Sequence, residues 1–351
     1  MPIQTTTIGA YPKPDFVPIL DWFRREDGGP DTASPTKGYL EALARMGDEA
    51  DTLFARGVQQ VVGDQVEAGI DIPTDGEVRR ENYIHYHCRH IAGIDFERLT
   101  AKAVRGGTYT ADLPSIVGPV SARDHFLPDD WRLAQSFTDR PVKITLPGPM
   151  TITDTTANVF YDDERKLGAD LAAALNSEVR ALAEAGCTWI QIDEPVFARK
   201  PDVALDYGIE NLERCFQGVS ADVTKVVHMC CGYPDRLDRD DYPKADRNAY
   251  FRLAEAVDDS CVDAVSLEDA HRHNDLSLLE RFARSKVILG VVAIAKSRVE
   301  EVDEIRARLE AALGHIDANR LLAAPDCGLG LLGRDLARRK LANLCTAADA
   351  L

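Results

Sequence analysis

A closed barrel of eight parallel strands with helices between them, the (β/α)8 TIM barrel, is the fold this sequence predicts. Three observations predict it. Short β-branched or apolar runs alternate with longer stretches whose apolar residues recur with a period near 3.6. The short runs number eight, the count that closes such a barrel. No run leads into a glycine-rich phosphate fingerprint, a P-loop or a Gly-x-Ser-x-Gly elbow, which counts against the runner-up, an open doubly wound sheet.

In chain order the strands are read at 5–9, 71–74, 142–146, 189–193, 225–229, 264–267, 287–292 and 321–324. The first is the β-branched run Thr5-Thr6-Thr7-Ile8, stopped by Gly9. The second runs into Asp75-Gly76-Glu77, and the third stops at Pro147-Gly148-Pro149. The fourth ends at Asp193-Glu194-Pro195, and the fifth at His228-Met229-Cys230-Cys231-Gly232. The sixth leads into Glu268, the seventh into Ala293, and the eighth into Pro325-Asp326-Cys327-Gly328. Helices fill the intervals. Leu171, Leu175, Val179 and Leu182 form one stripe over 171–185, and Val302, Ile305 and Leu309 another over 299–313. Two stretches exceed a minimal barrel. Residues 81–140, with Tyr83, His85, Tyr86, His87, His90 and Trp131, read as a loop-rich excursion or β-hairpin after strand two that caps the mouth. Residues 201–211 read as a second loop insertion. No low-complexity linker or repeat divides the chain, so residues 1–351 are expected to form one barrel domain.

The chain has 351 residues, 45% of them hydrophobic, enough for a large core, and a formal net charge of −17. That charge argues against nucleic acid and against an anionic membrane as partner. There is no apolar run of membrane-spanning length and no signal-peptide pattern at Met1-Pro2-Ile3-Gln4-Thr5. Eight cysteines, unevenly spread, do not suggest a disulfide framework and point to a reducing cytoplasm.

In such barrels the chemistry sits where strands end and loops begin. His228 and Cys230 alternate on one strand and so point the same way, while Met229 points into packing. With Glu268 and Cys327 at two further strand ends they supply one imidazole, two thiols and one carboxylate, a donor set suited to tetrahedral zinc rather than magnesium or calcium. A zinc site of this kind activates a thiol, so transfer of an alkyl group to sulfur is the expected chemistry. Adjacent acids point apart on a strand, so Asp193 and Glu194 are not a shared-proton dyad. One of them, and Glu77, can face the mouth and bind a cation such as a substrate amine. Cys231 should point away from Cys230. Cys187, Cys215, Cys261 and Cys345 read as packing. His85-x-His87 has metal-like spacing but no thiol near it, and His271 and His273 read as a solvated helix start.

These segments together resemble the zinc-bearing C-terminal barrel of cobalamin-independent methionine synthase, over essentially the whole chain. The opening Thr5-Thr6-Thr7-Ile8-Gly9, then Asp75-Gly76-Glu77, Gly148-Pro149-Met150-Thr151 and Gln191-Ile192-Asp193-Glu194-Pro195 look like that family's inner motifs. His228, Cys230, Glu268 and Cys327 match its zinc ligands. The resemblance implies methyl transfer to the thiol of homocysteine, giving methionine. It also implies backbone contacts to the amino acid from Ile8 and Gly9, and an ammonium held by Glu77 and Asp193.

The chain departs from the family pattern in four places. Ala10 stands where serine is common. The family's long enzymes carry an additional N-terminal barrel that helps bind folate polyglutamate, and none is expected here. The stretch Gly148-Pro149-Met150-Thr151-Ile152-Thr153-Asp154-Thr155 lacks the tryptophan that helps hold the pterin. The Asp-x-His after strand seven, which assists protonation of the leaving group, is replaced by Ala293 and Ala295. The expected donor is therefore a methylated corrinoid protein or a small methylated compound rather than the folate. Two further readings stand beside this one. The resemblance extends to single-barrel epoxyalkane:coenzyme M transferases, in which a thiolate opens an epoxide. A non-catalytic corrinoid- or metal-binding partner protein would bind zinc without activating a thiol.

Overall fold

The computed structural model describes residues 2–17, 19, 33–104, 109–234, 236–239 and 241–351. β1 (Gln4–Thr5) is followed by α1 (Ala33–Met46) and α2 (Ala50–Ala68). The excursion contains α3 (Tyr83–Cys88), β2 (Ile91–Val104), β3 (Tyr109–Ala122) and α4 (Leu127–Gln135). Next come β4 (Lys143–Pro147), α5 (Pro149–Thr155), β5 (Ala157–Asn158), α6 (Glu164–Ala185) and β6 (Trp189–Asp193). The chain continues through α7 (Pro195–Arg199), α8 (Pro201–Val203), α9 (Ile209–Cys215), β7 (Thr224–Met229), α10 (Ala249–Asp258) and β8 (Ala264–Leu267). It ends with β9 (Lys286–Val292), α11 (Val302–Ala312), β10 (Leu321–Pro325) and α12 (Arg334–Asp349).

Seven parallel strands pair in the order β1-β10-β9-β8-β7-β6-β4. The eighth place belongs to residues 71–74, which bridge Thr6 to Ile72 and Thr74 to Lys143, both in parallel. Ile72 N donates to Thr5 O at 3.0 Å and Lys143 N to Pro73 O at 2.8 Å, so the ring closes between β1 and β4. Pro73 has no N–H to give, which limits this place to single bridges rather than a ladder. The predicted eight-stranded barrel is the fold found.

Strand alternation separates two cores. Ile8, Ile72, Trp189, Val226, Ala264, Ile288, Leu322 and Ala324 meet inside the barrel. Val227, Met229, Val265, Leu267 and Leu289 point outward and belong to the larger core shared with the helices. The predicted stripe Leu171, Leu175, Val179 and Leu182 of α6 is buried, as are Ile305 and Leu309 of α11. Among the described residues no helix is long and apolar enough to cross a membrane.

Of the two readings given for the excursion the β-hairpin is the one found, and the 201–211 insertion is not the loop expected. The excursion is a regular antiparallel hairpin of two 14-residue strands, with β5 added in parallel at its edge. Pro114 and Pro119 interrupt β3, and the register shifts between Ala92 and Ile94 and between Asp95 and Leu99, so alternation is broken along the chain. The hairpin is held at the end of α5, where Lys102 Nζ donates to the carbonyls of Thr153, Asp154 and Thr156 at 2.8–3.0 Å. The 201–211 insertion is helical: α8 runs through one π-helical turn (Ala204–Gly208) into α9. Pro201 at the first position suits a helix start.

Glu194 is structural. Its buried carboxylate accepts from Met150 N (2.9 Å), Thr151 N (3.1 Å) and Thr151 Oγ1 (2.8 Å), tying α5 to the end of β6. Gly148 leaves room for it, since a Cβ there would lie 2.2 Å from Glu194 Oε1. Glu194→Ala strands these donors in a dry site and should lower unfolding free energy by about 2–3 kcal/mol. A urea midpoint unchanged from the parent would contradict this role.

Candidate metal and substrate site

The fold brings His228, Cys230 and Cys327 together from the ends of β7 and β10. One donor atom from each lies within 4.8 Å of the others. His228 pairs across the sheet with Ser266 of β8, and its Nδ1 hydrogen-bonds Ser266 Oγ at 2.9 Å. That bond turns Nε2 toward the sulfurs, 3.4 Å from Cys327 Sγ. Of the two thiols Cys230 ionises first, because Cys327 donates to its sulfur and His228 stands beside it. Two thiols and an imidazole, oriented from behind by a hydroxyl, fit zinc in donor type and in arrangement.

Glu268 is placed differently. It groups with His271 and Asp326 rather than with the three donors above. One carboxylate oxygen accepts from Cys231 N at 3.1 Å and the other is ion-paired with Lys244. Asp326, next to Cys327, accepts from the backbone N–H groups of Asp269, Ala270 and His271 at 2.7–2.9 Å. His271 Nδ1 bonds Asp326 Oδ2 at 2.7 Å, and its Nε2 accepts from Ala295 N at 3.2 Å. The His271 side chain is thus 4% exposed and joins the loops after β8, β9 and β10, not the solvated residue expected. Its role is legible only from partners 24 and 55 residues away.

The expected substrate residues lie beside this cluster. Gly76 and Glu77 both have positive φ (68° and 56°), a conformation that costs Glu77 of order 1 kcal/mol or more and turns its carboxylate into the mouth. Thr145 Oγ1 donates to Glu77 Oε1 at 2.9 Å, and Arg80 Nη1 lies 3.3 Å from it. Burial pushes the Glu77 carboxyl up to about 7, against the pull of Arg80. Gly9 must be glycine here, since a Cβ would sit 2.6 Å from Glu77 Oε1 and φ is +154°. Asp193 closes β6 in register with His228. Gln191 Nε2 donates both to Asp193 Oδ1 and to Ile8 O at 2.7 Å. Burial lifts Asp193 to about 6, opposed first by His228.

Sequence reasoning gave no role to Arg80, Thr145, Gln191, Lys244 or Ser266. Thr145, Gln191 and Ser266 could have been found as polar residues at inward positions of apolar strands. Tyr83 was left within the excursion; burial first, then the charges of Asp193, Cys230 and Cys327, hold its hydroxyl well above the usual phenol range. His85 and His87 are packed: His85 bonds Thr36 Oγ1 at 2.7 Å and Thr155 O at 3.2 Å, and His87 Nδ1 bonds Tyr83 O at 2.7 Å. Ala293 and Ala295 are buried, with Ala293 N on Glu300 Oε1 and Ala293 O accepting from Lys340 Nζ.

Fold and site together define a barrel enzyme with thiols and carboxylates gathered at the C-terminal mouth of its strands. The model of the cobalamin-independent synthase catalytic domain matches residues 3–350, and the chain belongs to that family. Methionine synthase of Saccharolobus solfataricus is 31% identical over 348 residues, covering 97% of this chain and 92% of the relative. That of Thermococcus kodakarensis is 31% identical over 349 residues, covering 99% and 93%. A B12-independent methionine synthase from Shewanella sp. W3-18-1, solved in complex with selenomethionine, superposes with a TM-score of 0.86 at 30% identity, covering 100% of this chain and 98% of that one. Methionine-synthase-type methyl transfer is thereby supported. The expected corrinoid donor or partner is not, since the family is described as independent of cobalamin.

Proposed function

We propose that this chain is a zinc-dependent methyltransferase that methylates the thiol of homocysteine to give methionine, with residues 1–351 working as one barrel domain. The observation that carries the reading is the convergence of His228, Cys230 and Cys327 within 4.8 Å, beside the buried carboxylates of Glu77 and Asp193. His228, Cys230 and Cys327 hold the metal, with Glu268 standing at the adjacent strand end. Zinc, when bound, keeps a thiol deprotonated at neutral pH and so supplies the nucleophile. Glu77 and Asp193 bind the substrate ammonium, and the backbone at Ile8 and Gly9 borders the rest of the amino acid. The sulfur lone pair attacks the methyl carbon in line, the S–CH3 bond forms, and the bond to the donor breaks with its electron pair leaving on the donor. Selenomethionine bound to the Shewanella relative is a close analogue of the proposed product.

The donor is read as a compound other than folate polyglutamate, because the chain has Ala293 and Ala295 in place of the protonating pair and no tryptophan over 148–155. The free cysteines suit a reducing cytoplasm.

The test is calorimetric titration of zinc-loaded protein with homocysteine and, separately, with coenzyme M, with proton release followed in parallel. Well above pH 7, where Glu77 is already ionised, homocysteine should bind with release of about one proton, the thiol's, and coenzyme M, which has no ammonium for Glu77 and Asp193, should bind far more weakly. Coenzyme M binding with homocysteine ignored would replace this reading by epoxide opening.

A further inference from the structure

The barrel interior holds a buried lysine beneath the mouth. Ile144 and Leu146 of β4 belong to the outer core, so alternation turns Lys143 and Thr145 inward. Lys143 lies in register with Trp189 of β6, one of the residues that meet inside the barrel, and Gln191 stands two residues further along the same inward face. Lys143 and Gln191 are both removed from water, at 0% exposure. Lys143 Nζ, a donor, and Gln191 Oε1, an acceptor, have no hydrogen-bond partner among the described residues. The rest of the Gln191 amide is committed: Nε2 donates to Asp193 Oδ1 and to Ile8 O, both at 2.7 Å. Strand spacing and rise put the two Cα atoms about 8 Å apart, a gap that the two side chains can close around a single water.

We propose that Lys143 is a positioning residue: one ordered water, accepting from Lys143 Nζ and donating to Gln191 Oε1, holds the amide with its NH2 on Asp193 and Ile8. The proposal rests on the reading that Asp193 and the Ile8 backbone border the substrate amino acid. Leaving a buried acceptor without a donor is strongly unfavourable, so an unheld amide turns away and loosens both groups. Burial lowers the Lys143 ammonium to about 7, opposed by Asp193, and either protonation state has an N–H to give. Fold stability alone does not call for a lysine here, since an apolar side chain of similar volume would fill the space without the cost of burying an ammonium.

Calorimetric titration with homocysteine tests this in the zinc-loaded parent, Lys143→Met, Gln191→Met and the double variant. Lys143→Met should weaken homocysteine binding about ten-fold, the scale of one lost buried hydrogen bond, with zinc content at the parent level. Its urea midpoint should stay level or rise, because the variant removes a buried ammonium; a purely structural lysine would lower it. Lys143→Gln, which keeps N–H donors, should bind homocysteine more like the parent than like Lys143→Met. In the Gln191→Met background Lys143→Met should have no further effect. Unchanged affinity in Lys143→Met overturns the proposal. An equal loss with and without Gln191, or a Lys143→Gln as weak as Lys143→Met, overturns it too, since the lysine would then act by its charge on Asp193. In a crystal structure of the parent, one water should lie within about 3 Å of both atoms, and its absence overturns the bridge. Asp193→Asn separates the layers of inference. Affinity unmoved there removes the substrate reading; affinity lost there, with Lys143→Met unchanged, removes only the role given to Lys143.

Discussion

Replacing Cys230 or Cys327 by serine should abolish stoichiometric zinc binding and slow methyl transfer at least about a thousand-fold, close to 4 kcal/mol in the barrier. A serine hydroxyl does not ionise near neutral pH and is a poor zinc donor, so each change leaves one thiol and one imidazole, too few to hold the ion. Cys230 should be the more sensitive, because its sulfur receives both the Cys327 thiol and the His228 side chain. Cys261→Ser is the control: that cysteine lies just before β8, at the end of the barrel away from the mouth. Metal content by atomic emission and turnover should fall together in the two site variants and stay at the parent level in the control. Zinc retained in both site variants would show that the ion, if any, is held elsewhere.

Glu77→Gln should raise the KM for homocysteine about a hundred-fold while changing zinc content little. The amide keeps the oxygen that accepts from Thr145 Oγ1 at 2.9 Å, so local structure is preserved and only the charge is lost. Removing a buried counter-charge from an ammonium costs about 2–5 kcal/mol in comparable sites. The pH dependence follows from burial. Glu77 is faced by Arg80, Asp75, Asp193 and Thr145, and the balance places its carboxyl at about 7. The ionised form is the one that binds an ammonium, so homocysteine affinity should fall as pH drops through about 7. Glu77→Gln should lose the part of this dependence centred near 7, keeping the part set by release of the thiol proton and by Asp193, while the parent keeps both. A KM that is flat with pH in the parent, or unmoved in the variant, would take the ammonium away from Glu77.

Most of the architecture was legible because it is written locally. The eight short runs and the stripes of α6 and α11 are periodicities that any window of the chain displays. A β-hairpin was one reading of 81–140, but its two strands could not be placed, because Pro114, Pro119 and two register shifts break the alternation that marks strands. Pro201 misled in the other direction: it looks like a breaker yet sits where a helix begins, the one position that spares its missing N–H. The thiols and imidazole could be found because strand ends in a barrel converge on one mouth, so residue type and position in the run suffice. His271 could not, because Asp326 and Ala295 convert it from a surface residue into a link between three loops.

The sequence by itself determined the barrel, the family and the residues that meet at the mouth, since strand period, strand ends and the spacing of His228 and Cys230 are properties of the chain read in order. Only the tertiary structure decided how the ring closes and which partner each polar group takes. Residues 71–74 close the barrel through bridges that Pro73 keeps short. Ser266 turns His228, Gln191 ties Asp193 to Ile8, and Lys244, 24 residues from Glu268, is ion-paired with that carboxylate. Burial makes each of these choices obligatory, because a charged or polar group removed from water must find a partner, and the partner is whatever the fold has brought within reach.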